Sequence, residues 1–320
     1  MTASLMRISV ILCTYSRCES LTAALHSVAA SQIPPAIPWE VLVIDNNSRD
    51  RTRDVALDFS RRYPERFRYL FESEQGKSHA LNLGIREARG DVIAFMDDDV
   101  IVDPSWLRNL TMPMESDHWA GAGGRVIPLW NTDRPKWLPK DGEILAPLVS
   151  FDRGDKAGAL GEAPFGTNMA FRKEMFERYG NFRTDLGPRP GSEIRGEDTE
   201  FGRRVLNGGE RLYYEPAAVV HHPVASERLT KSYFLKWWFD KGRSDTLECP
   251  QHDSYAVAGI PVSLFKRFAG DTLRWTVTLE SRRRFDYKRQ VWGIAGEIAE
   301  RYRLAAGKQK IGVAKGTCKL

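Results

Sequence analysis

Three consecutive carboxylates, Asp97, Asp98 and Asp99, directly follow the apolar run 92–96. Such a run predicts a buried strand, and carboxylates at its end repel one another unless a cation offsets their charge. Mg²⁺ takes oxygen ligands, typically carboxylates plus substrate phosphates, whereas His and Cys clusters suit softer metals. In extended backbone Asp97 and Asp99 project to one side and Asp98 to the other. The triplet predicts a site for a divalent metal and phosphate, with an acidic turn before the next helix as the alternative.

A second acidic segment, 196–200 (GEDTE), follows a loop rich in Gly and Pro and precedes the amphipathic run 201–206. Acidic residues are common in the first turn of a helix because they offset the helix dipole. Beside a metal–diphosphate site, a carboxylate such as Asp198 is also what general-base activation of an alcohol requires. Helix capping and base catalysis both stay open for Asp198 on these residues alone.

The elements that must position these carboxylates form an alternating series. β-branched apolar runs predict strands at 7–13, 39–44, 67–71 and 91–96. Helical periodicity predicts helices between them, at 19–30, 51–62 and 78–88. This alternation predicts an α/β fold with a mainly parallel sheet flanked by helices. Ligands of such sheets bind beyond the carboxyl ends of the strands, where three predicted strands end in polar residues: 14–17, 45–48 and 97–99.

The chain beyond residue 100 is less regular. Residues 129–165 are rich in Pro, Gly, Trp and charge and predict a long loop, which in a compact domain is usually functional or mobile. Strands are predicted at 167–171 and 211–214, and a helix is predicted to begin at Glu197. Helical patterns follow from Leu229, and one of them has an apolar face: Pro261, Leu264, Phe268, Trp275 and Leu279.

Composition excludes several classes of protein. The 320 residues are 42% hydrophobic and 28% charged, with a net charge of +5, which is ordinary for a globular protein. No run approaches the roughly 18 uninterrupted apolar residues that a membrane-spanning helix needs. Neither a glycine-rich dinucleotide fingerprint nor a Walker loop follows a predicted strand, which argues against nicotinamide, flavin and P-loop enzymes. The cysteines lack metal-site spacing and fit a reducing cytoplasm: Cys13, Cys18, Cys249 and Cys318.

Together these segments resemble the family 2 glycosyltransferases, which have the GT-A fold. Residues 10–17 are similar to that family's opening strand, and residues 43–48 to its second strand. The triplet 97–99 matches the family's D-x-D motif, and 196–198 matches its E-D motif. The resemblance covers about residues 7–222, with the motifs in the family's order. It implies an inverting, metal-dependent transfer of a sugar from a nucleotide-sugar to an acceptor hydroxyl.

The resemblance also implies the residues of the nucleotide-sugar site. Asp45 would contact the base, and Asp97 would lie on the ribose or metal side. Segment 76–82 is similar to the family segment near the diphosphate, so Lys77 would contact phosphate, with a solvated loop lysine as the alternative. The residues implied at the donor are Thr14, Tyr15, Arg17, Asp45, Asn47, Lys77, Asn82, Asp97, Asp98 and Arg204.

By the same resemblance, Asp99 would be the direct ligand of Mg²⁺ or Mn²⁺, with Asp97 and His222 near the metal. Asp198 would be the general base that takes the proton of the acceptor hydroxyl. A structural histidine at a strand end is the alternative for His222. Three residues are expected on the acceptor side, with a position at a membrane surface or core packing as the alternatives for the aromatic pair: Glu197, Trp237 and Trp238.

We predict three regions in the chain: a GT-A catalytic domain at 1–222, a helical extension at 223–305 and a disordered tail at 306–320. Within the catalytic domain we expect a nucleotide-sugar half at about 1–128 and an acceptor half at about 129–222. Residues from Pro223 on carry 19 Lys and Arg against 10 Asp and Glu. This excess, together with the amphipathic Phe and Trp face and the lack of a predicted spanning helix, predicts peripheral attachment to an anionic cytoplasmic membrane, where a lipid-linked acceptor would reside. Packing of these helices onto the catalytic domain is the alternative.

Two other functions compete with sugar transfer. A sugar-nucleotide pyrophosphorylase shares the α/β sheet and the metal, but it ordinarily has a glycine-rich loop after the first strand, and residues 14–17 contain no glycine. A nucleic-acid-binding or scaffold protein is the non-enzymatic alternative, although no nucleic-acid partner is expected. Family habit favours UDP as the carrier, with GDP and dTDP as alternatives. The expected acceptor is a glycan or a lipid-linked sugar in polysaccharide or glycolipid biosynthesis.

Overall fold

The computed structural model describes residues 6–140, 142–248, 256–257 and 259–307. The strands are β1 Ile8–Thr14, β2 Trp39–Asp45, β3 Phe67–Phe71, β4 Val92–Asp97, β5 Ile101–Val102, β6 Gly121–Trp130, β7 Gly158–Leu160, β8 Met169–Arg172, β9 Leu212–Val224, β10 Ala256–Val257 and β11 Ile260–Pro261. The α-helices are α1 Cys18–Ala29, α2 Thr52–Arg62, α3 Lys77–Glu87, α4 Trp106–Thr111, α5 Glu174–Tyr179, α6 Glu197–Asn207, α7 Lys231–Glu248, α8 Val262–Val277 and α9 Ser281–Gly307.

Nine of the described strands form one mixed sheet in the order β3-β2-β1-β4-β8-β6-β9-β5, with β7 paired to β9. Strands β1 to β4 pair in parallel, as the alternating pattern predicted. At their carboxyl ends Thr14 lies opposite Asp45, and Cys13 lies opposite Asp97. The other half is antiparallel where β8 joins β4 and where β5 and β7 join β9. The parallel half therefore brings the three predicted polar ends together at one edge.

Both faces of the parallel strands are buried. On β1, Val10 and Leu12 pack with Leu21 of α1 on one face, and Ile11 packs with Leu81 of α3 on the other. Apolar side chains on both faces explain why these strands appear in the sequence as continuous apolar runs. The helices cover the faces and leave the strand ends as the place for polar residues.

The antiparallel half was largely missed by the sequence patterns. Strand β9 has 13 residues, whereas only 211–214 was predicted, because Glu215 and a proline interrupt its apolar pattern. Strand β6 begins with three glycines among four residues, a composition typical of loops. A Cβ on Gly124 would lie 2.2 Å from the Ala218 carbonyl oxygen, so glycine is required where β6 approaches β9. The loop predicted at 129–165 also contains β7 and a 3₁₀ turn at Glu143–Leu148.

The chain folds into two compact units. The first comprises residues up to Leu129, Val149–Gly191 and Glu197–Pro223, and the second comprises Trp130–Leu148, Ser192–Gly196 and the chain from Val224 on. The predicted boundary near 222 is close to the end of the first unit, but two segments assigned to the acceptor half belong to the second unit. One reason is packing, since Leu138, Ile144 and Leu145 share an apolar cluster with Phe234 and Phe285.

Helices α7 and α9 of the second unit pack with their backbones close together. A Cβ on Gly242 would lie 1.9 Å from the Gly293 carbonyl oxygen, and one on Gly296 would lie 1.9 Å from the Phe239 carbonyl oxygen. Within the part of the chain that is described, no helix is both long and apolar enough to cross a membrane. Cys249, Cys318 and residues 308–320 of the predicted tail lie outside the described residues.

The apolar face predicted for α8 is turned toward α9. Leu264 is buried with Ile294, Phe268 packs against the same cluster, and Trp275 meets Trp292 edge to face with ring centroids 5.9 Å apart. This face is therefore covered by protein, and the membrane attachment that was predicted from it lacks this support. Leu279, expected on the same face, lies beyond the helix and is 95% exposed.

Candidate active site

Asp97, the last residue of β4, is paired with Lys77 at the start of α3. Lys77 Nζ lies 2.7 Å from Asp97 Oδ1 and 3.4 Å from Glu197 Oε1. Burial lowers the pKa of Lys77, but the nearby carboxylates outweigh it and raise that pKa well above its usual value. Burial raises the pKa of Asp97, but Lys77 outweighs it and the net effect is a lowered pKa. Both side chains are therefore charged.

The other two carboxylates of the triplet face Arg17, in the loop after β1. Arg17 Nη1 lies 3.2 Å from Asp98 Oδ1 and 2.9 Å from Asp99 Oδ2. Burial raises the pKa of Asp98 to about 6, an effect that Arg17 opposes and Asp99 reinforces. The positive charge expected to offset repulsion within the triplet is thus provided here by Arg17 and Lys77.

His222, on β9, approaches the triplet from the antiparallel half of the sheet. Its Nε2 lies 3.6 Å from Asp99 Oδ1, and the imidazole is buried. Among the described residues no three His, Cys, Asp or Glu side chains converge as a metal cage. Mg²⁺, however, is usually held by few carboxylates when substrate phosphates supply further ligands. Asp99 and His222, as a facing oxygen and nitrogen donor, fit a divalent metal that binds together with a diphosphate.

Asp198 lies in the first turn of α6 and is oriented by two backbone amides. Its Oδ2 accepts a hydrogen bond from the Gly166 N–H at 2.6 Å, and its Oδ1 accepts one from the Thr199 N–H at 2.7 Å. A Cβ on residue 166 would lie 2.8 Å from Asp198 Oδ2, so this contact requires glycine. Oδ1 also accepts from the Thr199 hydroxyl at 3.3 Å, whereas Oδ2 keeps a further lone pair. Asp198 is therefore held in one orientation and is still able to accept a proton.

The two acidic segments line one small, narrow pocket of the first unit, which we call the cleft. Glu197, beside Asp198, is 3% exposed. Burial raises its pKa, Lys77 opposes this, and Asp198 reinforces it. The residues that line the cleft are Cys13, Lys77, Leu81, Phe95, Met96, Asp97, Gly166, Met169, Glu197 and Asp198. The fold therefore gathers carboxylates that are far apart in the sequence around one lysine.

The loops after β1 and β2 are joined by hydrogen bonds. The Ser16 N–H donates to Ser48 Oγ at 2.9 Å, and the Ser48 N–H donates to Asp45 Oδ1 at 2.8 Å. The Tyr69 hydroxyl donates to Asp45 Oδ2 at 3.1 Å, and burial together with Asp45 raises the pKa of Tyr69 to about 12. Asp45 is 2% exposed and organises this loop. Its contact with a nucleotide base stays a prediction.

Three other residues expected at the donor lie at the same edge of the sheet. Thr14 is buried at the end of β1, and Tyr15 is half-buried. Asn47 is exposed, with a positive φ of 64°, and its Nδ2 donates to the Ser73 carbonyl at 3.4 Å. Their contacts with a nucleotide stay predictions.

Asn82 and Arg204 bind the backbone at 179–182, which is the end of α5 and the loop that follows it. Asn82 Nδ2 donates to the Phe182 carbonyl at 2.9 Å, and Asn82 Oδ1 accepts from the Phe182 N–H at 3.0 Å. Arg204 donates to the carbonyls of Tyr179 and Asn181 and to Glu200 Oε2. Both side chains are already hydrogen-bonded to this stretch of backbone. The expectation that they bind the donor is therefore not supported by these contacts and stays a prediction.

The sequence matches a known family over more than half of its length. The model of that family, described as glycosyl transferase family 2, matches residues 9–180. This chain belongs to glycosyl transferase family 2. It is therefore a glycosyltransferase, and the pyrophosphorylase and nucleic-acid-binding alternatives are set aside.

Similar proteins are known from archaea and bacteria. The glucosyl-dolichyl phosphate glucuronosyltransferase of Haloferax volcanii is 28% identical over 241 residues, which are 73% of this chain and 75% of that protein. The succinoglycan biosynthesis protein ExoM of Rhizobium meliloti is 27% identical over 241 residues, which are 75% of this chain and 74% of that protein. The similarity to both relatives thus extends over most of each chain.

Solved structures confirm the predicted GT-A class. The mannosyltransferase PcManGT of Pyrobaculum calidifontis, in complex with GDP-Man and Mn²⁺, has a TM-score of 0.58 at 18% identity and aligns over 97% of this chain and 77% of its own. GalNAc-T7 with UDP, GalNAc and Mn²⁺ has a TM-score of 0.57 at 17% identity, over 93% of this chain and 57% of its own. At such identities the likeness concerns the fold alone.

Three residues that shape the site of this glycosyltransferase were not predicted. Gly166 supplies the amide that holds Asp198. Asn46 accepts from the Gly76 N–H at 2.8 Å and so positions the segment that carries Lys77. Asn168 accepts from Trp106 Nε1 at 2.8 Å and donates to the Ala218 carbonyl, which joins α4 to β9. Only Asn46 gave a usable signal, since it directly follows Asp45 at a strand end.

Trp237 and Trp238 belong to α7 of the second unit. Trp238 is 9% exposed, and the Arg289 guanidinium lies over its ring, 4.3 Å from the centroid. The expectation that Trp238 stacks on an acceptor sugar is therefore corrected, because its ring is already covered by protein. Trp237 is half-buried and faces Arg195 at 5.7 Å, and its acceptor role stays a prediction.

Proposed function

We propose that this glycosyltransferase moves a sugar from a nucleotide-sugar to an acceptor hydroxyl by direct displacement with inversion. The observation that carries the proposal is that Asp97, Lys77 and Asp198 line one cleft. Direct displacement needs a carboxylate to deprotonate the nucleophile and fixed charges to stabilise the leaving group. A retaining reaction has no use for a base in this position.

The donor binds at the ends of β1, β2 and β4 in this proposal. Arg17 and Lys77 form charge-assisted hydrogen bonds with the diphosphate oxygens, for which their cations are suited. Asp99 and His222 would hold Mg²⁺ or Mn²⁺, and the bound ion would supply positive charge toward the leaving diphosphate. The Mn²⁺ in both solved structures supports a divalent metal. UDP is the favoured carrier, and the GDP-Man of the Pyrobaculum enzyme keeps GDP as the alternative.

In this proposal, residues of the protein itself catalyse the transfer of the sugar. Asp198 takes the proton of the acceptor hydroxyl while that oxygen forms its bond to the anomeric carbon. The bond from this carbon to the diphosphate oxygen breaks, and the nucleoside diphosphate leaves with the electron pair. The amides of Gly166 and Thr199 keep the Asp198 carboxylate aimed throughout. Positioning of this kind accounts for a large part of enzymatic rate enhancement.

The acceptor in this proposal is a glycan or a lipid-linked sugar, with Glu197 on its side of the cleft. The Haloferax relative is named for a glucosyl-dolichyl phosphate, and the Rhizobium relative for succinoglycan biosynthesis. Both names support polysaccharide or glycolipid biosynthesis. The proposed location is the cytoplasm, with peripheral attachment to the cytoplasmic face of the membrane, on account of the excess of Lys and Arg from Pro223 on.

The proposal is tested by titrating the purified protein with a panel of UDP-, GDP- and dTDP-sugars in Mg²⁺, in Mn²⁺ and in EDTA. We expect one carrier to bind, and to release its nucleotide when an acceptor is added, only with a divalent metal. Undiminished turnover in EDTA would refute the proposed requirement for a divalent metal. If no nucleotide-sugar binds in the presence of either metal, the proposal that the donor is a nucleotide-sugar would be refuted.

A further inference from the structure

Helix α8 is apolar on two faces, and only one of them is covered. Leu264 and Phe268 pack with Ile294 of α9. On the other side, Phe265 is 42% exposed, Leu273 63% and Val277 65%. With Ala269 these residues follow one another at intervals of four, which places them on a common face of the helix. We call Phe265, Ala269, Leu273 and Val277 the outer ridge of α8.

The outer ridge continues into an exposed apolar residue after the helix. Leu279 is 95% exposed, in the short connection between α8 and α9. Isolated exposed apolar residues are normal, but a row of them over several helical turns marks an interaction surface. The sequence pattern concealed this row, because the covered face carries the more conspicuous Phe and Trp residues.

Positive charge surrounds the ridge. Lys266 is exposed and follows Phe265 directly, and the first turns of α9 begin with three exposed arginines at 282–284. Residues 262–284 contain six Lys and Arg against two Asp and Glu. Arg267, Arg274 and Arg283 are paired with Glu297, Asp271 and Glu280, and Arg283 is still largely exposed. Lys266 follows a ridge residue directly, and the arginines at 282–284 come within five residues of Leu279, so exposed apolar and cationic side chains alternate along this segment. This combination complements a surface that is both apolar and anionic.

We propose that the outer ridge of α8 binds the surface of an anionic lipid bilayer, with Phe265, Leu273, Val277 and Leu279 entering the headgroup boundary. Lys266 and the arginines at 283–284 contact lipid phosphates. A nucleic acid offers no apolar layer for aliphatic side chains, and a second copy of this chain would bring the same positive charge against itself. The outer ridge is thus the surface through which the proposed peripheral attachment would be made, and the proposal rests on that location. Binding of the ridge to a bilayer requires neither the sugar donor nor the metal.

The test uses the full chain and vesicles of phosphatidylglycerol mixed with phosphatidylcholine, compared with vesicles of phosphatidylcholine alone. We expect the parent protein to sediment with the anionic vesicles at low salt. The variant Phe265→Glu/Leu273→Glu is expected to bind at least about tenfold more weakly, because two apolar contacts are lost and negative charge is added. Met112→Glu, at a residue 45% exposed in the first unit, is the matched control and is expected to bind like the parent.

Two further measurements distinguish a loss of membrane binding from a loss of donor binding. Arg283→Gln/Arg284→Gln is expected to weaken binding at low salt and to have little effect at high salt, where screening already removes the electrostatic contribution. Nucleotide-sugar binding is expected to be the same in all variants, so failure of the membrane contact is distinguishable from failure of the donor site. Equal vesicle binding by parent and Phe265→Glu/Leu273→Glu would overturn the proposal. So would light scattering that shows a dimer dissociated by this variant, together with no vesicle binding by the parent.

Discussion

Two groups of carboxylates meet in the cleft, and they are held in different ways. At the end of β4, the side chains of Arg17 and Lys77 balance the triplet 97–99. At the start of α6, the backbone amides of Gly166 and Thr199 hold Asp198. A cationic side chain is able to turn toward another anion, whereas a backbone amide stays where the fold places it. The first group is therefore built to change partners, and the second to keep its geometry.

This difference matches the two tasks of sugar transfer. A donor diphosphate brings new negative charge to the strand ends, and cations that are already present there are able to meet it. A base has to point at the acceptor hydroxyl through the whole reaction, and small misplacement is costly. Substitutions in the two groups should consequently fail in different ways.

The largest effect is expected from Asp99→Ala, in the group that changes partners. Loss of this carboxylate should abolish metal-dependent donor binding and turnover, because it removes the proposed direct metal ligand. The melting temperature should stay close to that of the parent, because the lost ion pair with Arg17 is partly exposed, Arg17 keeps Asp98 as a partner, and repulsion within the triplet is reduced. Calorimetric titration of the donor in Mn²⁺ measures this, with Asp58→Ala, at an exposed carboxylate on α2, as the control. Retained metal-dependent donor affinity would contradict the assignment.

A smaller effect is expected from Gly166→Ala, in the group that keeps its geometry. The new Cβ would lie 2.8 Å from Asp198 Oδ2 and force the carboxylate to turn. Turnover should fall by roughly 10 to 100-fold, as is typical when a catalytic group is misplaced, while donor affinity is retained. Gly161→Ala is the matched control, because its Cβ would meet no atom within 4 Å. Equal turnover of the two variants would show that the Gly166 contact is dispensable.

The smallest effect is expected from a buried carboxylate away from the cleft. Glu40, near the start of β2, accepts hydrogen bonds from Ser9, Arg68 and the Arg89 N–H. Burial raises its pKa, but these partners outweigh it, so that the pKa is lowered below its usual value. Its contribution to stability is therefore present above the unfolded-state pKa and is lost as the pH falls through the folded-state pKa.

Glu40→Gln should accordingly lower the free energy of unfolding by about 1 to 3 kcal/mol at neutral pH. The difference from the parent should shrink in acid, as urea unfolding at several pH values will measure. Turnover should stay unchanged once the variant is folded. A large loss of turnover at neutral pH would contradict the view that Glu40 stabilises the fold and takes no part in the active site.

The sequence was a good guide to the parallel half of the fold because each of its strands is buried on both faces. Ile11 and Leu12 are both enclosed, on opposite faces, and such positions give continuous apolar runs that stand out. The triplet at the end of β4 was found for the same reason. The antiparallel half gave no such signal, since β6 is rich in glycine and β9 contains a buried charged residue, Glu215.

Partners of the predicted residues were harder to foresee than the residues themselves. Nothing local in the sequence joins Gly166 to Asp198, because backbone amides leave no side-chain signature. Arg204 carried the right charge for a donor contact, yet its guanidinium is bound to backbone carbonyls at 179–182. The outer ridge of α8 was missed because periodicity alone does not tell which of two apolar faces is covered.

The central claim, that Asp198 is the base and not only a helix cap, is tested most directly by Asp198→Asn. Asparagine keeps the shape, but its single side-chain oxygen accepts from only one of the two amides that hold Asp198, and it does not take the proton. The measurement is turnover, with donor affinity and melting temperature determined on the same preparation. We predict a loss of roughly 10²- to 10⁴-fold in turnover, with donor affinity close to that of the parent and a melting temperature lower by about 2 to 4 °C, as expected for the loss of one hydrogen bond. Near-normal turnover of the folded variant would contradict the account and move the base to Glu197 or Glu200.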